Sequence, residues 1–311
     1  MDVHGKGLFV WYASRLPADA VQVALEHGVA WAAVKSADGP RIWDGEFRAP
    51  AVAALRDAGL RIFSWQYVYG QNAAGEAAAA AWAVRNGSEL HVLDVESEFE
   101  HNPPGLRAML TACTAEGIRR DQLGYSSFGV EGYHAIDWPQ LHAACGTAWP
   151  QAYYATQGWT PEYSLSLTQA GLAGYDGQVI PIGDAYGGAT SDTTERFAAR
   201  VAQLFGSAVG WWEWSQVEGP VWDGIKAASL PATAPAKPAP LPTDGVTMLP
   251  SGDWLVSRAW RDRAVSLASA AGEATYDHPG QPMNLSVTQR NVQMIKRMLG
   301  ADGVWDPNVF A

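Results

Sequence analysis

Gly7-Leu8-Phe9-Val10-Trp11-Tyr12-Ala13-Ser14-Arg15 is the stretch on which the fold turns. Its first half is an apolar run of strand length, rich in the aromatic and β-branched residues that suit a pleated surface. Its second half discriminates between two architectures. An open, doubly wound sheet carries a Gly-rich phosphate loop after its first strand, and this chain places Trp11, Tyr12 and Arg15 there instead. Moving outward, residues 17–27 read as a helix with Leu16, Ala20, Val23, Ala24 and His27 on one stripe, and residues 30–36 read as the next strand.

The alternation then repeats. Strand-like runs fall at 61–67, 90–95, 122–127, 147–153, 177–182 and 207–215. Helical patterns fall at 49–58, up to the Asn86-Gly87 stop, after Pro103-Pro104, and at 138–145, 161–173 and 192–205. Eight strand–helix units in about 228 residues predict a (β/α)8 TIM-like barrel, because each right-handed crossover lays its helix outside a parallel sheet. An open doubly wound sheet is the competing reading.

Residues 229–245 (SLPATAPAKPAPLPTDG) cannot build a core and read as a semi-rigid Pro/Ala-rich linker. The expected organisation is therefore a barrel over 1–228, this linker, and a small C-terminal α-helical module over 246–311 with helices at 256–271 and 288–299. A module of that size is marginal alone, so docking to a protein partner, to itself or to the barrel is expected.

The net charge of −11 argues against nucleic acid, whose binding depends on Lys and Arg clusters. Before residue 228 there are 14 Lys and Arg against 25 Asp and Glu, and after it 7 against 7, so all the excess acid belongs to the barrel. The same region holds 12 of the 15 tryptophans; indoles serve both core packing and sugar stacking. Cys113 and Cys145 lie in helical segments and read as free thiols. The N-terminus shows no signal-peptide pattern, and no stretch approaches the roughly 20 apolar residues of a membrane span.

Catalytic groups of such a barrel stand at the C-terminal ends of its strands. Strand four ends in Leu93-Asp94-Val95-Glu96, and a period of two puts both carboxylates on one face and Leu93 and Val95 on the other. Like charges placed together raise one pKa, which supplies the proton donor that glycoside hydrolysis needs. Asp184 and Glu213, near the ends of strands seven and eight, are candidates for the second carboxylate. Trp65, Gln66, Tyr125, Gln151, Tyr153, Tyr186, Trp212 and Trp214 offer aromatic faces or hydrogen bonds to sugar hydroxyls. Lys35, ending strand two, is expected to pair with the strand-four carboxylates. Scattered histidines without ligand spacing predict no metal site, and nothing calls for a cofactor.

Trp31-Ala32-Ala33-Val34-Lys35-Ser36, Asp94-Val95-Glu96 and Trp212-Glu213-Trp214-Ser215 together resemble the glycoside hydrolase family 25 lysozymes, many of them phage or bacterial cell-wall lysins, over most of residues 7–225. The resemblance implies that Glu96 is the general acid, that Asp94 is its partner, and that the substrate is the β-1,4 bond of peptidoglycan between N-acetylmuramic acid and N-acetylglucosamine. With no signal-peptide pattern, the protein is expected to be made in the cytoplasm and to act at the wall if released by lysis or carried in a virion. The family carries an Asp on its first strand where this chain has Phe9-Val10-Trp11-Tyr12. A barrel that binds glycan without cutting it, such as a virion component, is the alternative.

Overall fold

The computed structural model describes residues 2–131, 133–172, 174–231, 246–248, 254–256 and 304–305. The chain divides into two compact units, Met1–Lys237 and Pro238–Ala311. In the first, the strands β1 (Gly5–Val10), β2 (Val29–Asp38), β3 (Arg61–Tyr67), β4 (His91–Asp94), β5 (Leu123–Phe128), β6 (Thr147–Gln151), β7 (Ile182–Asp184) and β8 (Ala208–Trp212) pair in parallel, each with the next. Gly7 of β1 pairs with Trp31 of β2 and with Gly210 of β8, so the ring is closed. Between and after the strands run α1 (Ala20–Glu26), α2 (Pro50–Asp57), α3 (Ala73–Arg85), α4 (Pro103–Ala115), α5 (Trp138–Ala144), α6 (Pro161–Gly171), α7 (Ser191–Leu204) and α8 (Gly219–Ala227). This is the (β/α)8 barrel that the alternation predicts. Among the described residues no helix is long and apolar enough to cross a membrane.

Strand parity decides what fills the barrel. Phe9, Trp31, Phe63, Trp65, Val92, Trp149 and Ile182 point inward into one apolar cluster. Their neighbours Leu8, Ala32, Val34 and Ile62 pack outward with the helices. Indoles this large fit only because glycines face them. A Cβ on Gly7 would fall 1.9 Å from the Trp31 ring, one on Gly210 2.8 Å from it, and one on Gly124 2.7 Å from Trp149 Nε1. The Trp31 and Trp149 rings meet edge to face with centroids 5.2 Å apart, a geometry aromatic pairs favour.

Helix ends follow their local chemistry. The side chains of Asn72, Asn102 and Thr160 cap α3, α4 and α6 by accepting backbone N–H groups of the first turn, and Thr190 with Thr193 forms a reciprocal capping box on α7. Cys113 and Cys145 are buried free thiols.

Three elements differ from the sequence reading. The strand expected over 177–182 is interrupted: Gln178–Val179 pairs with β6, and the strand that joins β6 to β8 is Ile182–Asp184. The break is at Pro181, which has no N–H to give to a ladder. Second, α8 completes the eighth unit without having been singled out in the sequence. Third, the described part of 246–311 consists of three antiparallel strands, Val246–Met248, Trp254–Val256 and Val304–Trp305, so Val256 lies in a strand where a helix was expected. The remainder of the two expected helices and most of the linker lie outside the described residues.

Candidate functional site

At the C-terminal ends of the strands a cavity of about 580 Å³ opens above the aromatic floor. Its wall includes Trp11, Lys35, Trp65, Asp94, Glu96 and Gln151, with Asp38, Tyr67, Tyr69, Ser126, Tyr153 and Trp212 completing most of the ring. The period-of-two reading of strand four holds in the structure. Leu93 and Val95 sit in the cluster on the helix side, and Asp94 and Glu96 line the cavity.

One amide ties the two acids together. Gln151 Nε2 donates to Asp94 Oδ1 at 2.9 Å and to Glu96 Oε1 at 2.6 Å, and lies 3.3 Å from Ser126 Oγ. The carboxylates are therefore closer to each other than two hydrogen bonds laid end to end. Asp94 is 9% exposed. Burial raises its carboxyl well above the ordinary aspartate range, against the opposing pull of Lys35 and the bonds from Gln151 and Ser126. Burial first, and the Asp94 charge second, raise Glu96 as well. A pair held this way keeps a proton near neutral pH.

Lys35 is nearly fully buried. Its Nζ donates to Asp38 Oδ2 at 2.8 Å and lies 4.5–4.8 Å from the ring centroids of Trp43, Trp11 and Trp65. The expected ion pair with the strand-four acids is thus replaced by one with Asp38, three residues along, although Lys35 still acts on Asp94 through space. Despite burial, which pushes it upward, the bonds from Lys35 and Tyr69 hold the Asp38 carboxyl below its ordinary value. Tyr67 Oη lies 2.9 and 2.8 Å from the two oxygens of Glu98. Among the described residues the indole N–H of Trp11 has no hydrogen-bond partner.

Of the residues singled out in the sequence, the structure brings Asp94, Glu96, Lys35, Trp65, Gln151, Tyr153 and Trp212 to the cavity wall. It places the others elsewhere. Gln66 faces the helices, where its Nε2 donates to the Gly39 and Glu76 carbonyls and its Oε1 meets His91. Tyr125 packs outward against Trp138 and Tyr175. Trp214 packs on Trp222, and Tyr186 is not part of the wall.

Asp184 is fully buried, and both its oxygens are occupied by Tyr154 N (2.6 Å), Ala155 N (2.7 Å) and Thr156 Oγ1 (2.9 Å). It clamps the loop after β6. Glu213 accepts from the Ser215 hydroxyl and from Trp11 N at 3.4 Å, linking the end of β8 to the end of β1. Neither acid lines the cavity.

Sequence reasoning missed Trp11, Asp38, Tyr67 and Tyr69 as wall residues, and His134 beside Glu96. Parity would have found Tyr67, which alternates with Trp65. Asp38 lies where the end of β2 turns back to pair antiparallel with Arg41–Ile42, and Tyr69 lies on the loop after β3, and no periodicity reports either course.

The chain matches no family profile and no curated protein sequence. Among solved structures, a GH18 chitinase from Pseudoalteromonas aurantia aligns at 11% identity over 72% of this chain and 98% of that one, with a TM-score of 0.52. A family 25 glycosyl hydrolase from Bacillus anthracis aligns at 16% identity over 49% of this chain and 72% of that one, with a TM-score of 0.35. The modular autolysin LytC from Streptococcus pneumoniae aligns at 13% identity over 48% of this chain, with a TM-score of 0.37, and the chain spans 37% of its length. The likeness is one of fold.

Proposed function

We propose that this barrel is a glycoside hydrolase acting on cell-wall glycan, with Glu96 as proton donor and Asp94 as its partner. The observation that carries the reading is the buried Asp94–Glu96 pair held by one amide in an aromatic-walled cavity. Indole and phenol faces suit sugar rings, and a carboxyl that stays protonated near neutral pH suits donation to a glycosidic oxygen.

The acids on hand narrow the chemistry. A retaining or inverting mechanism with two enzyme carboxylates needs one on each side of the scissile bond. Among the described residues the wall offers Asp38, already bound by Lys35 and Tyr69, and the pair itself on a single strand. This favours a substrate that brings its own nucleophile, as a 2-acetamido sugar does. Its carbonyl oxygen attacks C1, the glycosidic C–O bond breaks, and its electron pair leaves with the oxygen, which takes the Glu96 proton. Asp94 then faces the positive charge on the acetamido group. Water attacks C1 and returns a proton to Glu96 as the C1–O bond to the acetamido oxygen breaks, its electron pair restoring the neutral amide.

Reducing-end release from purified peptidoglycan tests the reading, with Glu96→Gln expected to lose at least a hundredfold in rate. Equal turnover by both proteins removes Glu96 from the mechanism. The missing opposed carboxylate also favours a second reading, a barrel that binds glycan without cutting it. Retention of intact glycan with no reducing ends formed would decide for that one. In either case we assign residues 246–311, beyond a linker at 229–245, to anchoring.

A further inference from the structure

His134 stands behind Glu96, outside the cavity wall. Its two ring nitrogens each face a carboxylate: Nε2 lies 3.0 Å from Glu96 Oε2, and Nδ1 lies 2.9 Å from Glu100 Oε1. The contact with Glu96 is largely sheltered, with the His134 side chain 12% exposed and that of Glu96 17%, while Glu100 is the more open partner at 34%. The loop that carries His134 is fastened to the segment after β4 by the bond from His101 N to Ala135 O at 3.0 Å.

A hydrogen bond requires one proton, and an ionised carboxylate supplies none. The two contacts around this ring therefore require two protons between them. Hydrogen bonding from His134 holds the Glu100 carboxyl below its ordinary value, so Glu100 is ionised and the Nδ1 proton stays on the ring. The other proton has two homes. On Nε2 it makes an imidazolium that donates to an ionised Glu96, and on Oε2 it makes Glu96 a neutral acid that donates to a neutral ring. The two arrangements have the same total charge and differ by the position of one proton along one axis.

We propose that His134 is a positioning residue that shares this proton with Glu96, and that Glu100 fixes the ring tautomer that makes sharing possible. The role of Glu96 as acid rests on the function proposed above; the shared proton does not. Other groups set the balance along that axis. Asp94 and Glu98 press on Glu96 with like charge, Gln151 donates to its other oxygen, and the Tyr67 and Tyr153 hydroxyls are near enough to feel it. On the far side, Glu100 also feels His101, and the exposed Tyr133 ring stands edge-on to His134. When Glu96 passes the shared proton to a departing oxygen, the carboxylate left behind keeps the bond from Gln151 at Oε1, and Nε2, now without a proton, stands ready to accept the next one.

Nuclear magnetic resonance of the intact chain tests the sharing without any substrate. Ring nitrogens and the Glu96 carboxyl carbon are followed against pH in the wild type, in Glu96→Gln and in Glu100→Gln. The expected result is a protonated Nδ1 throughout, with Nε2 and the Glu96 carboxyl changing over one common pH range. Glu96→Gln is expected to displace the ring's transition, and Glu100→Gln to let the second tautomer appear. Independent transitions, or a ring indifferent to Glu96→Gln, overturn the proposal.

Where peptidoglycan is cleaved, His134→Gln, whose amide can donate but cannot share a proton, is expected to lower kcat roughly tenfold or more with KM little changed and to move the pH profile. An unmoved profile counts against the proposal. A wild type that cleaves nothing sinks the glycosidase reading alone, since the resonance result stands by itself.

Discussion

Replacing Asp94 by Asn should abolish turnover and yet make the fold more stable in alkaline solution. Asp94 and Glu96 sit within a hydrogen bond of the same Gln151 nitrogen, and both carboxyls are raised chiefly by burial. Two unit charges about 5 Å apart at an effective dielectric of about 20 repel by about 3 kcal/mol. Because the folded-state pKa values stand above the unfolded ones, the pair's favourable contribution is complete below about pH 4 and is lost as pH rises through the folded values. At pH 9 the wild type therefore bears nearly the full repulsion. The Asp94→Asn substitution removes one charge, and the new amide can turn its oxygen toward Gln151 and its nitrogen toward Glu96.

Allowing for relaxation and water entry, a gain of about 2 kcal/mol is expected at pH 9, or roughly 4–8 °C in Tm for a domain of this size. Little or no gain is expected at pH 4, where both carboxyls are already neutral. Thermal denaturation of both proteins at the two pH values provides the check. An equal change at both, or a loss at pH 9, would falsify the claim that like-charge strain is stored at this site.

Gly7→Ala places a methyl 1.9 Å from the Trp31 ring and should cost more than about 3 kcal/mol or prevent folding, read by urea denaturation. Asp184→Ala strips acceptors from two backbone amides and should cost about 2–4 kcal/mol, while the purified folded fraction keeps its kcat. Lys35→Met leaves Asp38 without its cation and removes the group that pulls Asp94 downward, so the Asp94 carboxyl should titrate at higher pH; an unchanged titration would show that the through-space effect is negligible. Peptidoglycan whose amino sugars have been N-deacetylated should be cleaved at least a hundredfold more slowly if the acetamido group is the nucleophile, as measured by reducing-end release.

The barrel was legible because its signal is redundant: eight apolar runs separated by helical stripes survive a misplaced boundary, such as that of β7, which runs Ile182–Asp184 beyond Pro181 where 177–182 was expected. The acid pair was legible because both members lie on one strand, where parity speaks directly. The same parity condemns Gln66 and Tyr125. Trp65 and Tyr67 point inward, so the residue between them cannot, and Ser126 likewise excludes its neighbour. Asp184 and Glu213 are different. Their positions at strand ends are right, but backbone amides of adjoining loops reach them first, and no pattern in the strand reports where a loop's N–H groups will point.

Packing of the interior and acidity at the mouth are one physical fact seen from two sides. Glycines at positions 7, 124 and 210 let Trp31 and Trp149 meet across the barrel axis, leaving the floor close-packed. Trp65 and Trp212, with centroids 5.1 Å apart, continue that apolar surface up to the cavity. A carboxylate standing on such a floor loses the water that would solvate its charge, and desolvation is the largest contribution to the raised pKa values of both Asp94 and Glu96. Lys35, the cation that could offset this, is held against three indoles and bonded to Asp38, so it tempers Asp94 without pairing with it. The tryptophans that fill the barrel thereby keep a proton on the pair at its mouth.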